Sequence, residues 1–134
     1  MPAHFLATLP NFLAYLATAI VLLVAFVTIY LYVTPYDEIA LIRGNNTAAA
    51  ISLSGALLGF AMPIANVIAH SDTLLDLAVW GVVAGVVQLL AWGVARVALP
   101  QLQENIAAGR TAPATFVAAF SITVGLLNAA CMTY

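Results

Sequence analysis

Four apolar segments alternate with three polar breaks along the chain. The apolar segments cover residues 12–33, 47–69, 77–99 and 112–134. At a rise of about 1.5 Å per residue, each is roughly 33–35 Å long as a helix, which is enough to cross the hydrocarbon core of a bilayer. Because backbone polar groups in lipid must be paired within the segment, the pattern predicts four transmembrane helices.

The composition favours a membrane protein over a soluble one. Of the 134 residues, 65% are hydrophobic and only 6% are charged, whereas a soluble domain is about 25% charged. The net charge of −2 provides no basic surface for nucleic acid. We therefore expect one integral membrane domain over residues 1–134, with the lipid bilayer as its partner and no nucleic acid.

The three arginines predict the orientation of the chain. Arg43 and Arg110 lie in the first and third breaks, and Arg96 lies near the third break, whereas the second break has two aspartates and no arginine. By the positive-inside rule, the first and third breaks face the cytoplasm. Both termini are then expected on the opposite, extracytoplasmic side.

The first and third breaks resemble each other and predict an internal repeat. Residues 35–44 and 100–109 both run from a proline to a glycine, at an offset of 65. We therefore expect two parallel two-helix units, approximately residues 12–69 and 77–134. The alternative is that helices rich in glycine and alanine look alike without any duplication.

The first break, residues 34–44, contains the signals of a short helix, and we call it the first elbow. It offers a capping threonine, a proline suited to the first helical position and acidic residues in the first turn. A basic residue falls in the last turn, with a glycine just beyond it. We expect a short interfacial helix at each cytoplasmic turn, and we treat the first elbow as a candidate docking surface. Its candidate residues are Thr34, Pro35, Asp37, Glu38, Arg43 and Gly44.

Small and neutral polar side chains form stripes on the last three apolar segments. They recur at helical spacing and fall within one sector of each helix. The first interpretation is helix packing, because lipid tails provide no hydrophobic drive between helices and close approach at small residues replaces it. The second is a neutral polar lining, which would need an oligomer because four helices enclose little space. The stripe residues are Ser52, Gly55, Gly59, Pro63, Asn66, Gly81, Gly85, Gln88, Ser121, Gly125 and Asn128.

Candidate chemistry is weak throughout the sequence. The spacing of His70, Asp72 and Asp76, with His4 expected on the same face, matches no established metal-ligand pattern. Cys131 has no obvious base beside it, and we expect a buried, inert thiol. We therefore expect no enzyme activity, no cofactor and no metal.

Four stretches of the sequence carry a family resemblance. The segments TPYDEIALIRGNNTAAA, SLSGALLGFAMP, VQLLAWGVARVALP and NAACMTY resemble the YjfL-like family of small bacterial inner-membrane proteins, a domain of unknown function. The resemblance spans nearly the whole chain and implies a short multi-span protein of the bacterial inner membrane, often with a duplicated two-helix unit. Together with the orientation predicted from the arginines, an inner-membrane location makes both termini periplasmic. The resemblance also implies an association with envelope stress, but no substrate and no catalytic residue.

The expected architecture is an all-α transmembrane protein of four helices, built from two parallel two-helix repeats, with short interfacial helices at the cytoplasmic turns. The expected function is a non-enzymatic accessory or assembly component that acts through helix–helix association, as a homo-oligomer or with a membrane protein partner. The alternative is an oligomeric small channel or transporter subunit with a neutral polar lining.

Overall fold

The computed structural model describes residues 2–71 and 73–132, with side chains from Leu6 onward. Within these ranges the chain forms helices and turns and no strand. In order, the helices are α1 (Pro2–Val33), α2 (Glu38–Arg43), α3 (Thr47–His70), α4 (Leu74–Ala98), α5 (Leu102–Ala107) and α6 (Thr111–Cys131). The four long helices are long and apolar enough to cross a membrane, which confirms an all-helical protein with four candidate spans.

The ends of the spans differ from the predicted ones. The first apolar helix extends back beyond residue 12, because Pro10 lies within α1 without ending it. The third begins earlier than residue 77, since the Thr73 side chain caps α4 by accepting a hydrogen bond from the Asp76 N–H at 3.2 Å. The fourth ends at Cys131, and residues 133–134 lie outside the described residues.

The pair α3 and α6 packs most closely. Gly59 of α3 lies against Gly125 of α6. Farther along, Asn66 Nδ2 donates a hydrogen bond to the Ala129 carbonyl oxygen at 2.7 Å. Because the residue numbers rise together in these contacts, the two helices run parallel.

Helix α1 lies on the outside of the bundle and runs parallel to α4. Leu22 faces Gly81, and the Tyr30 ring meets the Trp92 ring edge-on, with centroids 6.5 Å apart. Since each short helix lies where the chain reverses between long helices, α2 and α5 share one end of the bundle. We call this end the elbow end.

Candidate functional site

The predicted small-residue stripe lies at the contact between α3 and α6. A Cβ on Gly55 would come within 2.5 Å of the Ala118 Cβ, and one on Gly125 within 2.6 Å of the Gly59 Cα. Pro63 is buried in the same contact region and has no N–H to donate to the Gly59 carbonyl. These glycine faces are therefore filled by packing within one copy of the chain.

The side-chain amides of the stripe connect the helices through backbone carbonyls. Gln88 Nε2 of α4 donates to the carbonyl oxygen of buried Ser121 at 3.2 Å, as Asn66 does to α6. In contrast, Gln88 Oε1 and Asn128 Nδ2 are covered by protein and have no hydrogen-bond partner among the described residues. The stripe thus combines bonded amides with a few buried polar atoms that remain unpaired.

The third-segment glycines of the predicted stripe belong to a different contact. Gly81 faces Leu22 of α1, with a built Cβ only 2.6 Å from a leucine methyl. A Cβ on Gly85 would lie 3.6 Å from the Phe60 ring, which is an ordinary packing distance. The stripe residues therefore divide between two helix contacts and do not line a common channel.

The first elbow differs from its predicted form. Asp37, and not Thr34, is the N-cap of α2, because its carboxylate accepts a hydrogen bond from the Ala40 N–H at 3.2 Å. The Thr34 hydroxyl instead donates to the Leu31 carbonyl oxygen at the end of α1. Pro35 consequently precedes the short helix instead of occupying its first position.

The end of the first elbow also differs in detail. Arg43 is the last residue of α2 and Gly44 follows as its C-cap, as predicted, but with an ordinary φ of −83°. The left-handed backbone conformation falls on Asn45, with φ of 69°, because asparagine tolerates it better than most residues do. Asn46 then caps α3 and donates its side-chain N–H to the Ile106 carbonyl oxygen at 3.0 Å.

Asn46 therefore joins the two short helices, a role that the sequence analysis missed. Its Oδ1 accepts from the Ala49 N–H at 3.0 Å while its Nδ2 reaches α5. In α5 itself, Leu102 and Ile106 are fully buried. We call the third break, residues 100–109, the second elbow. Its two apolar residues at i,i+4 spacing thus face the protein core.

Glu38, the first residue of α2, is buried, although it was included in the candidate docking surface of the first elbow. Only 1% of its surface is exposed, whereas Asp37 and Ile39 on either side are exposed. Its charge acts on the phenols of Tyr30 and Tyr36. The backbone thus turns one acidic side chain outward as a cap and the next one into the protein.

Polar side chains from three long helices and the first elbow lie close to the two phenols on which Glu38 acts. The Ser52 hydroxyl of α3 lies beside both phenols, and the Trp92 indole of α4 lies beside Tyr36. We call Glu38, Tyr30, Tyr36, Ser52 and Trp92 the Glu38 cluster.

The polar atoms of the Glu38 cluster are all covered by protein. Both carboxyl oxygens, both phenol oxygens, Ser52 Oγ and Trp92 Nε1 lack a partner at hydrogen-bond distance and angle within residues 2–71 and 73–132. The groups lie near one another without hydrogen bonds between them. Buried polar groups are ordinarily paired, so this concentration of unpaired ones marks a candidate site.

Burial dominates the electrostatics of the cluster. It raises the pKa of Glu38 from an ordinary 4.5 to about 7, and the neighbouring Thr34 hydroxyl offsets only part of this. Burial, followed by the charge of Glu38, raises the pKa of Tyr36 to about 12. At neutral pH both phenols are therefore neutral donors, while Glu38 lies close to the midpoint of its titration.

Sequence reasoning found Glu38 but not its surroundings. Tyr30 and Tyr36 have the positions of interfacial aromatic residues, and Trp92 has that of an ordinary apolar residue. A useful signal was present, since Tyr30 lies two turns before Glu38 and Ser52 lies in the second turn of the next span. Only the three-dimensional packing brings them together.

The outward face of α6 carries a second set of small residues. Thr115, Ala119 and Thr123 are exposed at a spacing of four residues. Both threonine hydroxyls donate to carbonyl oxygens one turn earlier, at 2.8 Å, so this face presents no unpaired hydroxyl group. Unlike the glycine faces, it is not covered by any described part of the chain.

The remaining chemical candidates do not assemble into a site. His70 Nδ1 lies 2.9 Å from the Asn66 carbonyl oxygen, and no three His, Cys, Asp or Glu side chains come together where the structure describes them. Asp72 and the His4 side chain lie outside the described residues. The Cys131 thiol is exposed, so the expectation of a buried thiol is wrong, because Cys131 lies on the outward side of the last turn of α6.

Known proteins resemble the chain along nearly its whole length. The family model Domain of Unknown Function (DUF350) matches residues 4–132. The UPF0719 inner membrane protein YjfL of Escherichia coli (strain K12) is 37% identical over 131 residues, which cover 98% of this chain and 99% of that protein. The UPF0719 transmembrane protein YshE of Bacillus subtilis (strain 168) is 29% identical over 113 residues, 84% of each chain. No solved structure matches. The resemblance inferred from the four sequence segments is confirmed.

Proposed function

We propose that this chain, which belongs to the DUF350 family, is a non-enzymatic component of the bacterial inner membrane that acts by associating with a second copy of itself. The observation that carries this proposal is the outward stripe of Thr115, Ala119 and Thr123 on α6. Since the glycine faces are filled within one copy, self-association needs another surface at which helices approach closely. Small side chains in lipid provide such a surface.

The same proposal includes the accessory role and the connection with envelope stress that the family resemblance implies. It also includes α2 and α5 as interfacial helices, periplasmic termini and the parallel two-helix repeat. Arg43, Arg96 and Arg110 support this orientation, because all three lie at the elbow end.

Cysteine cross-linking in membranes tests the self-association. In a Cys131→Ser background, an Ala119→Cys chain should form a cross-linked dimer. The matched control is Leu90→Cys on the outer face of α4, a position that is 64% exposed but carries no small-residue stripe. We expect little dimer from this control.

A larger side chain on the stripe tests the same surface without a cross-link. Ala119→Leu should reduce the copy number in a lipid-preserving preparation while leaving the fold intact, because residue 119 faces outward. Equal cross-linking at positions 119 and 90, together with an unchanged copy number in Ala119→Leu, would contradict the proposal. A cross-link to a different protein would identify a membrane partner in place of the second copy.

A second candidate is a small channel or transporter subunit with a neutral polar lining. Its support is the pair of buried, unpaired amide atoms Gln88 Oε1 and Asn128 Nδ2. Because Gly59 and Gly125 are in contact, a conduit would have to form between copies. Purified protein in liposomes should then conduct a solute or ion, and Asn66→Leu and Asn128→Leu should reduce that flux. Absence of flux for every ion tested would exclude this candidate for those ions.

A further inference from the structure

We propose that the Glu38 carboxyl, buried without a hydrogen-bond partner beside the phenols of Tyr30 and Tyr36, is a binding site for a proton taken up from water at the elbow end. The inference goes beyond self-association, because it assigns a ligand to a site away from the outer face of α6. Glu38 is 1% exposed and Ser52 is fully buried. An ionisable side chain buried in a membrane protein is a reason to expect function, because such burial is costly.

The ligand is a proton and not a larger cation because the cluster is closed. Each unpaired polar atom in it is covered by protein, whereas a metal ion or an organic cation needs space and several oxygen ligands around it. The indole N–H of Trp92 is a donor only and would repel a cation. A proton needs no cavity and neutralises the carboxylate directly.

The donors and acceptors of the cluster can serve both states of the carboxyl. When Glu38 is ionised, its two oxygens are acceptors. The neighbouring Thr34 hydroxyl can donate to them, and the phenols of Tyr30 and Tyr36, on which the charge of Glu38 acts, are further donors. Ser52 O–H and Trp92 N–H can then donate to the phenol oxygens. When Glu38 takes up a proton, its new O–H becomes a donor, and a phenol oxygen becomes its acceptor. Hydroxyl rotation and small side-chain shifts link the two states.

Charged groups around the elbow end leave Glu38 without a permanent counter-ion. Arg96 lies over the Trp92 ring, with its guanidinium carbon 5.5 Å from the ring centroid, and Arg110 donates to the Asn105 side chain at 3.0 Å. Arg43 is exposed at the end of α2. Glu38 acts on two titratable groups, the phenol of Tyr30 on α1 and the phenol of Tyr36 in the connection between α1 and α2. Helix α3 contributes neutral Ser52. Proton uptake is therefore the direct means of neutralising this carboxyl.

The path for the proton is short. Asp37 and Ile39, which flank Glu38, are both exposed, so the buried residue lies next to the protein surface on either side. Protonation takes one H⁺ from the aqueous phase onto a carboxylate oxygen, and ionisation returns it. No co-reactant is needed.

Infrared difference spectroscopy on the full chain in liposomes tests this site. Between about pH 5 and pH 9, wild-type protein should lose the carbonyl band of a protonated carboxyl, with a midpoint near 7. Glu38→Gln should remove this band. Glu104→Gln is the matched control, because Glu104 lies exposed in the second elbow. The carbonyl band of Glu38 should remain in this variant.

Two tyrosine variants keep the proposal testable if Glu38→Gln does not fold. Tyr36→Phe removes a phenol that can donate to the carboxylate once Glu38 is ionised, so the midpoint should rise by about 0.5 pH units or more. Tyr32→Phe, at a side chain that is 89% exposed, should leave it unchanged. A wild-type carboxyl that stays ionised over the whole range overturns the proposal, as does a band that persists in Glu38→Gln or a midpoint that Tyr36→Phe does not move.

Discussion

The two short helices at the elbow end have the same length and similar positions but differ in what they turn inward. In α5 the inward residues are Leu102 and Ile106, both apolar and fully buried. In α2 the buried residue is Glu38. The glutamate of the second elbow, Glu104, is exposed. The same architectural element is thus built once with an apolar anchor and once with a carboxyl.

This difference separates architecture from function. The second elbow demonstrates that a six-residue helix at this end can be held by apolar burial alone. A buried, unpaired carboxyl weakens the fold relative to such an anchor. Its presence in the first elbow is therefore explained by what the carboxyl binds and not by what it stabilises.

The largest expected effect comes from the α3–α6 contact that supports both elbows. Gly59→Leu should abolish the native fold, because the new side chain would meet the backbone of α6. The difference between α2 and α5 would be lost with the fold. Gly93→Leu is the matched control, since nothing lies within 4 Å of a Cβ built there. Thermal unfolding in detergent compares the two. A normal transition for Gly59→Leu would contradict the close helix contact.

The apolar anchor of the second elbow gives the next largest effect. Ile106→Ala should lower the free energy of unfolding by about 2–5 kcal/mol, because it opens a cavity at a fully buried position. Ile39→Ala, in the first elbow and 39% exposed, should cost much less. Reversible unfolding in mixed detergent measures both free energies. Equal losses for Ile106→Ala and Ile39→Ala would contradict an apolar anchor that is specific to the second elbow.

The carboxyl of the first elbow should make stability depend on pH. Below about pH 4.5 the folded and unfolded chains both hold the proton. As pH rises toward 7, the unfolded chain releases it first, so Glu38 destabilises the folded state increasingly, and above 7 the loss is complete. Glu38→Gln should then be more stable than wild type by up to roughly 3 kcal/mol at high pH.

The measurement is the unfolding free energy of both proteins across the same pH range. The advantage of Glu38→Gln should shrink toward acid pH. A difference that grows as pH falls has the opposite sign and would contradict a carboxyl whose pKa is raised by burial. Glu104→Gln serves as the control in the second elbow.

The smallest effect tests the connection between the elbows. Asn46→Ala removes the cap of α3 and the hydrogen bond to the Ile106 carbonyl, and should cost about 1–2 kcal/mol. Asp37→Ala removes only the cap of α2. Hydrogen exchange of the α5 amides should therefore accelerate in Asn46→Ala and not in Asp37→Ala. Equal exchange rates of the α5 amides in both variants would contradict a stabilising connection from Asn46 to α5.

Much of the fold could be predicted from the sequence because hydrophobic length determines it. The four spans follow from apolar runs between polar breaks, and short helices are present at the two breaks where they were expected. Their interfacial location stays a prediction. The same holds for the internal repeat, although the contact between Gly59 and Gly125 is what a two-fold axis relating the two units would produce.

The candidate site was much harder to predict. The sequence predicted Thr34 as the cap and placed Asp37 and Glu38 together in the first turn, whereas Asp37 is the cap and Glu38 is buried. Sequence spacing alone does not tell which acidic side chain turns inward. The cluster joins residues from positions 30 to 92, and no local pattern connects them. The glycine stripe was visible as a pattern, but only packing assigns it to the interior of one copy.

The most direct test of the difference between the two elbows is a ¹³C NMR titration of glutamate-labelled protein. The chain contains two glutamates, Glu38 and Glu104, so two side-chain carboxyl resonances are expected, and Glu104→Gln assigns them. We expect the Glu38 resonance to titrate with a pKa near 7. A Glu38 resonance that titrates at the ordinary glutamate value of about 4.5 would contradict the buried proton site.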